Sequence, residues 1–262
     1  MQLTSTMLQE VKQAKAQRMF SRRPLGPSSL RLLPKATGVR PIFNLQRRSL
    51  VKTSWAGRKG SFLGPSINSA LAPIYNMLSY EKSRKPFRLG SAMQSVGEMH
   101  PRLKKFKEYL RRQQADLQLE SQQPLYFVRL DIQSCFDTIP QHKLIRLIER
   151  LVSEETYRIS KHTEVRQSED FSRLWPMHGR SAKTVRKLVG RAAPATNPAH
   201  LPDVIASGTT GRKRDTVFVD TLEQKEYSAE TLLDLLDEHV RNNLVRIGKT
   251  YFRQRQGIPQ GS

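Results

Sequence analysis

Between Leu125 and Pro140 the chain reads Leu-Tyr-Phe-Val-Arg-Leu-Asp-Ile-Gln-Ser-Cys-Phe-Asp-Thr-Ile-Pro, an apolar run driven directly into a carboxylate. Tyr126, Phe127, Val128 and Leu130 are strand formers that tolerate burial, so the run predicts a strand with Asp131 at its end, beside low-dielectric packing. A charge in that position needs a partner. A divalent cation is the partner that makes such an Asp useful, because hard carboxylate oxygens suit Mg²⁺ and phosphate oxygens can complete its octahedron. The plainer alternative is an Asp that caps the following turn. Asp137, just before Thr138-Ile139-Pro140, is read as a helix-entry or turn-capping residue rather than a ligand. Pro140 then starts a helix over 141–152, with Leu144, Leu147, Ile148 and Leu151 turned inward.

Two further segments carry chemistry. Gln256-Gly257-Ile258-Pro259-Gln260-Gly261-Ser262 places two Gly and one Pro in a tight turn whose N–H groups can approach a substrate closely. Leu30-Arg31-Leu32-Leu33-Pro34-Lys35-Ala36-Thr37-Gly38-Val39-Arg40-Pro41-Ile42 is a pair of apolar runs around a Gly-bearing turn. It predicts a hairpin, with strands near 29–34 and 39–45, carrying the cations Lys35 and Arg40. Taken with Tyr75-Asn76-Met77-Leu78-Ser79-Tyr80-Glu81-Lys82-Ser83-Arg84-Lys85-Pro86, these segments resemble the telomerase reverse transcriptase family. The hairpin resembles polymerase motifs 1 and 2, the strand ending at Asp131 resembles motif A, and the closing turn resembles the start of motif B′. The match spans residues 28–152 and 213–262.

The resemblance implies a set of roles. Asp131 would be catalytic, and Asp131 with Ile132 would belong to a Mg²⁺ site. Two cations there would stabilise the attacking 3′-hydroxyl and the leaving pyrophosphate in line. One Asp cannot hold both; the family draws further aspartates from a later motif C, and no Asp-Asp pair occurs in this sequence. Lys35 and Arg40 would hold the incoming triphosphate, Arg by a bidentate contact and Lys as a point charge. Phe136 would be an aromatic gate against a ribose 2′-hydroxyl, in a position where many telomerases have Tyr; a core Phe is the alternative. Gln260 would lie near the nucleotide and templating base, with Gly257 and Gly261 letting the backbone come close.

The implied protein is an RNA-directed DNA polymerase that extends chromosome 3′ ends by copying an RNA template. Its partners would be telomerase RNA, the telomeric single-stranded DNA 3′ end and deoxynucleoside triphosphates, in the nucleus at the chromosome telomere. The implied fold is α+β: a right-hand polymerase, as fingers and partial palm, with an antiparallel sheet and packed helices in an incomplete fragment, inactive alone. A retroelement reverse transcriptase is the rival within the class. More than a hundred positions separate Asp131 from Gln256, which favours telomerase, since that family carries a long fingers insertion there. From a different class, the rival is a non-catalytic basic fragment that grips nucleic acid by charge.

Composition agrees with a polyanionic partner. Net charge is +22 and the isoelectric point is near 10.6, and each neutralised phosphate would release a counterion. Hydrophobic content of 37% is low for a self-sufficient core. No apolar stretch approaches the roughly 20 residues that cross a bilayer, so no membrane contact and an intracellular setting are expected. One cysteine, Cys135, excludes an intrachain disulfide, and no Cys/His spacing suits structural zinc.

Along the chain, residues 1–27 read as a helix over 6–20 with a Pro/Gly linker. Residues 28–124 form a fingers region: the hairpin, a basic segment from Arg47 to Lys59, and helices near 66–80 and 101–114. Lys104, Lys105, Lys107, Arg111 and Arg112 line one face of the latter, opposite Leu103, Phe106, Tyr109 and Leu110. The palm segment is 125–152. An insertion follows over 153–243, with strands at 155–165 and 214–221, a disordered stretch near 192–212, and a helix at 228–242 that turns Leu232, Leu233, Leu235, Leu236 and Val240 inward. Strands at 244–247 and 250–255, turning at Gly248-Lys249, lead into 244–262, the start of motif B′.

Overall fold

A computed structural model of the chain describes residues 7–21, 23–36, 38–55, 58–93, 95–116, 125–167, 184–198, 200–206 and 215–261. The architecture is α+β, in two units: Met1–Ser83 with Ser134–Ser262, and Arg84–Gln133.

In the first unit the predicted hairpin is present as β2, Ser28–Lys35, and β3, Gly38–Asn44, in register from Ser29↔Asn44 to Lys35↔Gly38. Pro34 and Pro41 fit because most of each strand is paired on one side only, so neither missing N–H breaks a ladder. The hairpin belongs to a five-stranded sheet of order β1-β10-β9-β2-β3, where β9 is Leu244–Ile247 and β10 is Thr250–Gln254. All pairs in it are antiparallel except β2 with β9.

The helix expected over 6–20 is corrected here. Leu8–Val11 is strand β1, paired with β10 from Leu8↔Gln254 to Val11↔Tyr251, and helix α1 runs only over Gln13–Ser21. The open edge of β10 captures four residues although Leu8, Gln9 and Glu10 are good helix formers, because the ladder bonds and the burial of Leu8 outweigh local propensity. The basic segment after β3, to which the sequence assigns no element, is a strand pair: β4, Arg48–Trp55, with β5, Arg58–Ser66. Val51, Thr53, Trp55 and Phe62 are strand formers that its charge obscures.

Three helices pack on a second sheet. Helix α2, Ile67–Arg84, buries Ile67, Ile74 and Met77. Helix α5, Gln141–Leu151, buries Ile145, with Leu144 and Ile148 partly covered, while Leu147, expected inward, is 57% exposed. Helix α7, Ala229–Arg241, starts where the Ser228 hydroxyl accepts from Thr231 N, and buries Leu232, Leu236 and Val240, one stripe at four-residue spacing. The sheet has order β7-β6-β8, with β6 at Thr156–Gln167, β7 at Thr184–Pro194 and β8 at Thr216–Ser228. Of the stretch 192–212 read as disordered, 192–194 complete β7 and Leu201–Ala206 form helix α6; 199 and 207–214 lie outside the described residues.

A buried polar node ties these elements together. Glu81, near the end of α2, accepts at Oε1 from Tyr157 OH (2.5 Å), Ser153 Oγ (2.7 Å) and Ser153 N (3.1 Å). Tyr157 is fully buried at the start of β6. Burial, then the hydrogen bond to Glu81, push its phenol up from 10.0 to about 12. The fold therefore favours the neutral phenol: that stabilisation is complete below pH 10.0 and is lost as pH rises through about 12. Urea midpoints of Tyr157→Phe are expected to fall less steeply than those of the parent chain over that window. Parallel curves would remove Tyr157 from the alkaline transition.

The second unit contains short 3₁₀ turns at Pro86–Leu89 and Val96–Glu98 and helix α3, Met99–Asp116, in which no residue is buried. Leu103, Phe106 and Tyr109 on its apolar face are about half exposed. The strand expected at 125–130 is corrected: the segment has no regular secondary structure, and Phe127 is 97% and Leu130 88% exposed. A strand exists only through its ladder partners, and no described strand of this unit pairs with the segment. Among the described residues, no helix is long and apolar enough to cross a membrane.

Candidate functional site

The candidate site is built by the Gln256–Gly261 turn, which lies between hairpin strand β3 and the one-turn helix α4, Cys135–Thr138. On the hairpin side, Phe43 N donates to Gln260 O at 2.8 Å and Phe43 bridges Gly261 in parallel fashion. On the helix side, Ile258 N donates to Phe136 O at 2.8 Å. Both glycines are required by close approach. Gly257 has φ +70°, and a Cβ there would sit 2.7 Å from Asp137 Cα; a Cβ on Gly261 would sit 2.6 Å from Leu45 Cγ.

These backbone contacts bring two of the predicted side chains together. Arg40 Nε donates to Gln260 Oε1 at 2.9 Å, joining positions 220 residues apart. With Oε1 so engaged, the Gln260 amide nitrogen and the terminal nitrogens of Arg40 are donors available to an anion or a base edge. Phe136 holds the turn by its main-chain oxygen, and the residue is 45% exposed. Lys35 sits at the hairpin tip, paired with Gly38; its side chain lies outside the described residues. Asp137 lies in the first turn of α4.

Asp131 and Ile132 belong to the second unit, both exposed, in the irregular segment that replaces the expected strand. Among the described residues no three His, Cys, Asp or Glu side chains gather to hold a metal ion. One exposed carboxylate does not by itself match the donor set of Mg²⁺.

Several supporting residues were not singled out from sequence. Gln254 is fully buried, accepts from Asn243 Nδ2 at 3.1 Å and donates to Gln256 O at 3.0 Å, fixing the entry to the turn. Ser28 Oγ reaches this chain of bonds at Asn243 Oδ1, 3.4 Å away, and Leu244 O lies within 3.2 Å of the same hydroxyl. Gln141 Nε2 donates to Gly257 O at 2.9 Å. The available signal was period two in β10, where Gln254 shares a face with the partly buried Phe252 and is polar at an inward position.

No protein-family model matches the chain. Among curated proteins it is 29% identical over 98% of its length to the telomerase reverse transcriptase of Canis lupus familiaris. It is 28% identical over 89% of its length to that of Mus musculus, and 24% identical over 89% to that of Arabidopsis thaliana. All three of these relatives are telomerase reverse transcriptases. The chain spans about a fifth of the length of these relatives, 22%, 19% and 18% respectively. The alignments with these telomerase relatives run through the stretch between α5 and the turn as well as the motif-bearing segments, so they are broader than the motifs alone.

Proposed function

We propose that this chain is the fingers and first palm segment of an RNA-directed DNA polymerase of the telomerase type. It would extend chromosome 3′ ends by copying an RNA template. The observation that carries the reading is the Arg40–Gln260 hydrogen bond, which unites a hairpin cation and a turn amide that the sequence keeps 220 residues apart. A guanidinium beside an amide donor suits a nucleoside triphosphate: Arg40 would take phosphate oxygens, Gln260 the sugar or base edge, and the Phe136 ring would block a 2′-hydroxyl. Telomerase RNA, the telomeric single-stranded 3′ end and a nuclear, telomeric location belong to the same proposal, supported by the relatives and by the charge of +22. Asp131 is proposed as a Mg²⁺ ligand, with Ile132 beside it, on the strength of the motif it resembles.

The test is a double-mutant cycle in a telomerase polymerase containing this chain. Arg40→Ala and Gln260→Ala are each expected to raise the KM for deoxynucleotides about 10-fold or more, the worth of a hydrogen bond to a charged group. The double variant should be little worse than the worse single. Additive losses, or a loss of primer affinity at unchanged nucleotide KM, would place these residues on the duplex instead.

A further inference from the structure

Outside the Arg40–Gln260 contact, the first unit carries an open basin of about 520 Å³. Its lining includes Gln141 and His142 from the start of α5, Arg241 from the end of α7, and Arg255 and Gln256 from the approach to the turn. No residue of the hairpin and none of 258–261 contributes to it. Its chemistry is cationic. Among the described contacts the side chains of His142 and Arg255 have no hydrogen bond or ion pair. Arg241 forms an ion pair through its Nε with Asp237 Oδ1, at 2.9 Å, and among the described contacts its terminal nitrogens are uncommitted. The neighbouring elements also carry acids, Glu149 on α5, Glu230, Asp234, Asp237 and Glu238 on α7, and the half-buried Asp137 on α4, but none of them lines the basin. Pro140 caps α5 without a side-chain hydrogen bond, so the first N–H groups of that eleven-residue helix add positive potential to the same basin.

We propose that this basin binds a phosphate oxyanion, from the backbone of single-stranded nucleic acid or from free pyrophosphate. Two guanidinium forks match tetrahedral oxyanions bidentately, and the volume admits one phosphodiester with its flanking sugars but not a folded partner. A protein partner would need an apolar anchor, and the polar groups here outnumber Ile139 and Pro140. The basin touches the turn at Gln256, whose carbonyl accepts from Gln254, and at Gln141, which donates to Gly257 O, so occupancy reports to the base of the turn.

The test follows the ring resonances of the six His by NMR in the 262-residue chain. An oligothymidine of about twelve nucleotides and inorganic pyrophosphate are titrated separately. The His142 resonance is expected to move with both ligands while that of His200 stays. Saturation by the oligonucleotide at tenfold lower phosphate concentration assigns the site to a nucleic-acid backbone; the reverse order assigns it to the free anion. Arg255→Glu should abolish the His142 shift and lower the salt dependence of oligonucleotide binding by about 0.7 in log–log slope, while Lys249→Glu leaves the shift intact. If Arg255→Glu disturbs the other resonances, Arg255→Gln serves in its place. An unmoved His142 with both ligands overturns the proposal, and so does an equal shift on adding poly-glutamate.

Discussion

Gly257→Ala is expected to destabilise the chain by about 3 kcal/mol, the sum of an alanine held at positive φ and a methyl forced against packed main chain. The φ of +70° supplies the first part. The second arises because the new Cβ meets the backbone of Phe136 and Asp137, which α4 and the Ile258–Phe136 hydrogen bond hold in place. Urea denaturation of the two chains measures the difference. Gly248→Ala is the control: its φ is +61°, yet nothing lies within 4 Å of the added carbon, so it should cost only about 1–2 kcal/mol. Equal losses at the two positions would mean that the turn does not press on α4. The candidate site would then lack the contact that seats Gln260 beside Arg40.

The second large effect is expected at Glu81. Glu81→Ala leaves the buried Tyr157 hydroxyl without its acceptor, while the exposed Ser153 can turn to water, at a cost of about 2–3 kcal/mol. Glu81→Gln keeps an acceptor oxygen in place and should cost about 1 kcal/mol. Tyr157→Phe is expected to lose about 1–2 kcal/mol alone and less in the Glu81→Ala background, because the shared bond is already gone and only those accepted from Ser153 N and Glu154 N remain to be lost. Fully additive losses in that cycle would show that the node is not a unit. The node matters for function because it joins the end of α2, the exit of α5 and the first turn of β6, and α5 is the helix whose Gln141 holds Gly257.

How far the fold could be read in advance follows from which interactions are local. The β2–β3 hairpin, helices α5 and α7 and the β9–β10 hairpin were legible because each carries its own periodicity and its own stop signal: Gly38, Pro140, Ser228, Gly248. Strand β1 was misread as helix because its pairing partner lies more than two hundred residues away. The β4–β5 pair was hidden by its charge. The segment 125–130 is the converse case: a sequence with every local mark of a buried strand, left exposed because no described strand pairs with it.

For the site, residue types were legible and their juxtaposition was not. The sequence by itself determined which groups are available: the cations of the hairpin, the carboxylate of Asp131, the ring of Phe136, and a turn whose glycines admit close backbone approach. These follow from side-chain chemistry and backbone sterics, which act within a few residues. Only the tertiary structure decided that Gln260 accepts from Arg40, that Gly257 rests on the backbone of α4, and that buried Gln254 and Glu81 brace the elements beneath. Those contacts depend on the register of a five-stranded sheet drawn from both ends of the chain, and no local pattern encodes a register between strands so far apart.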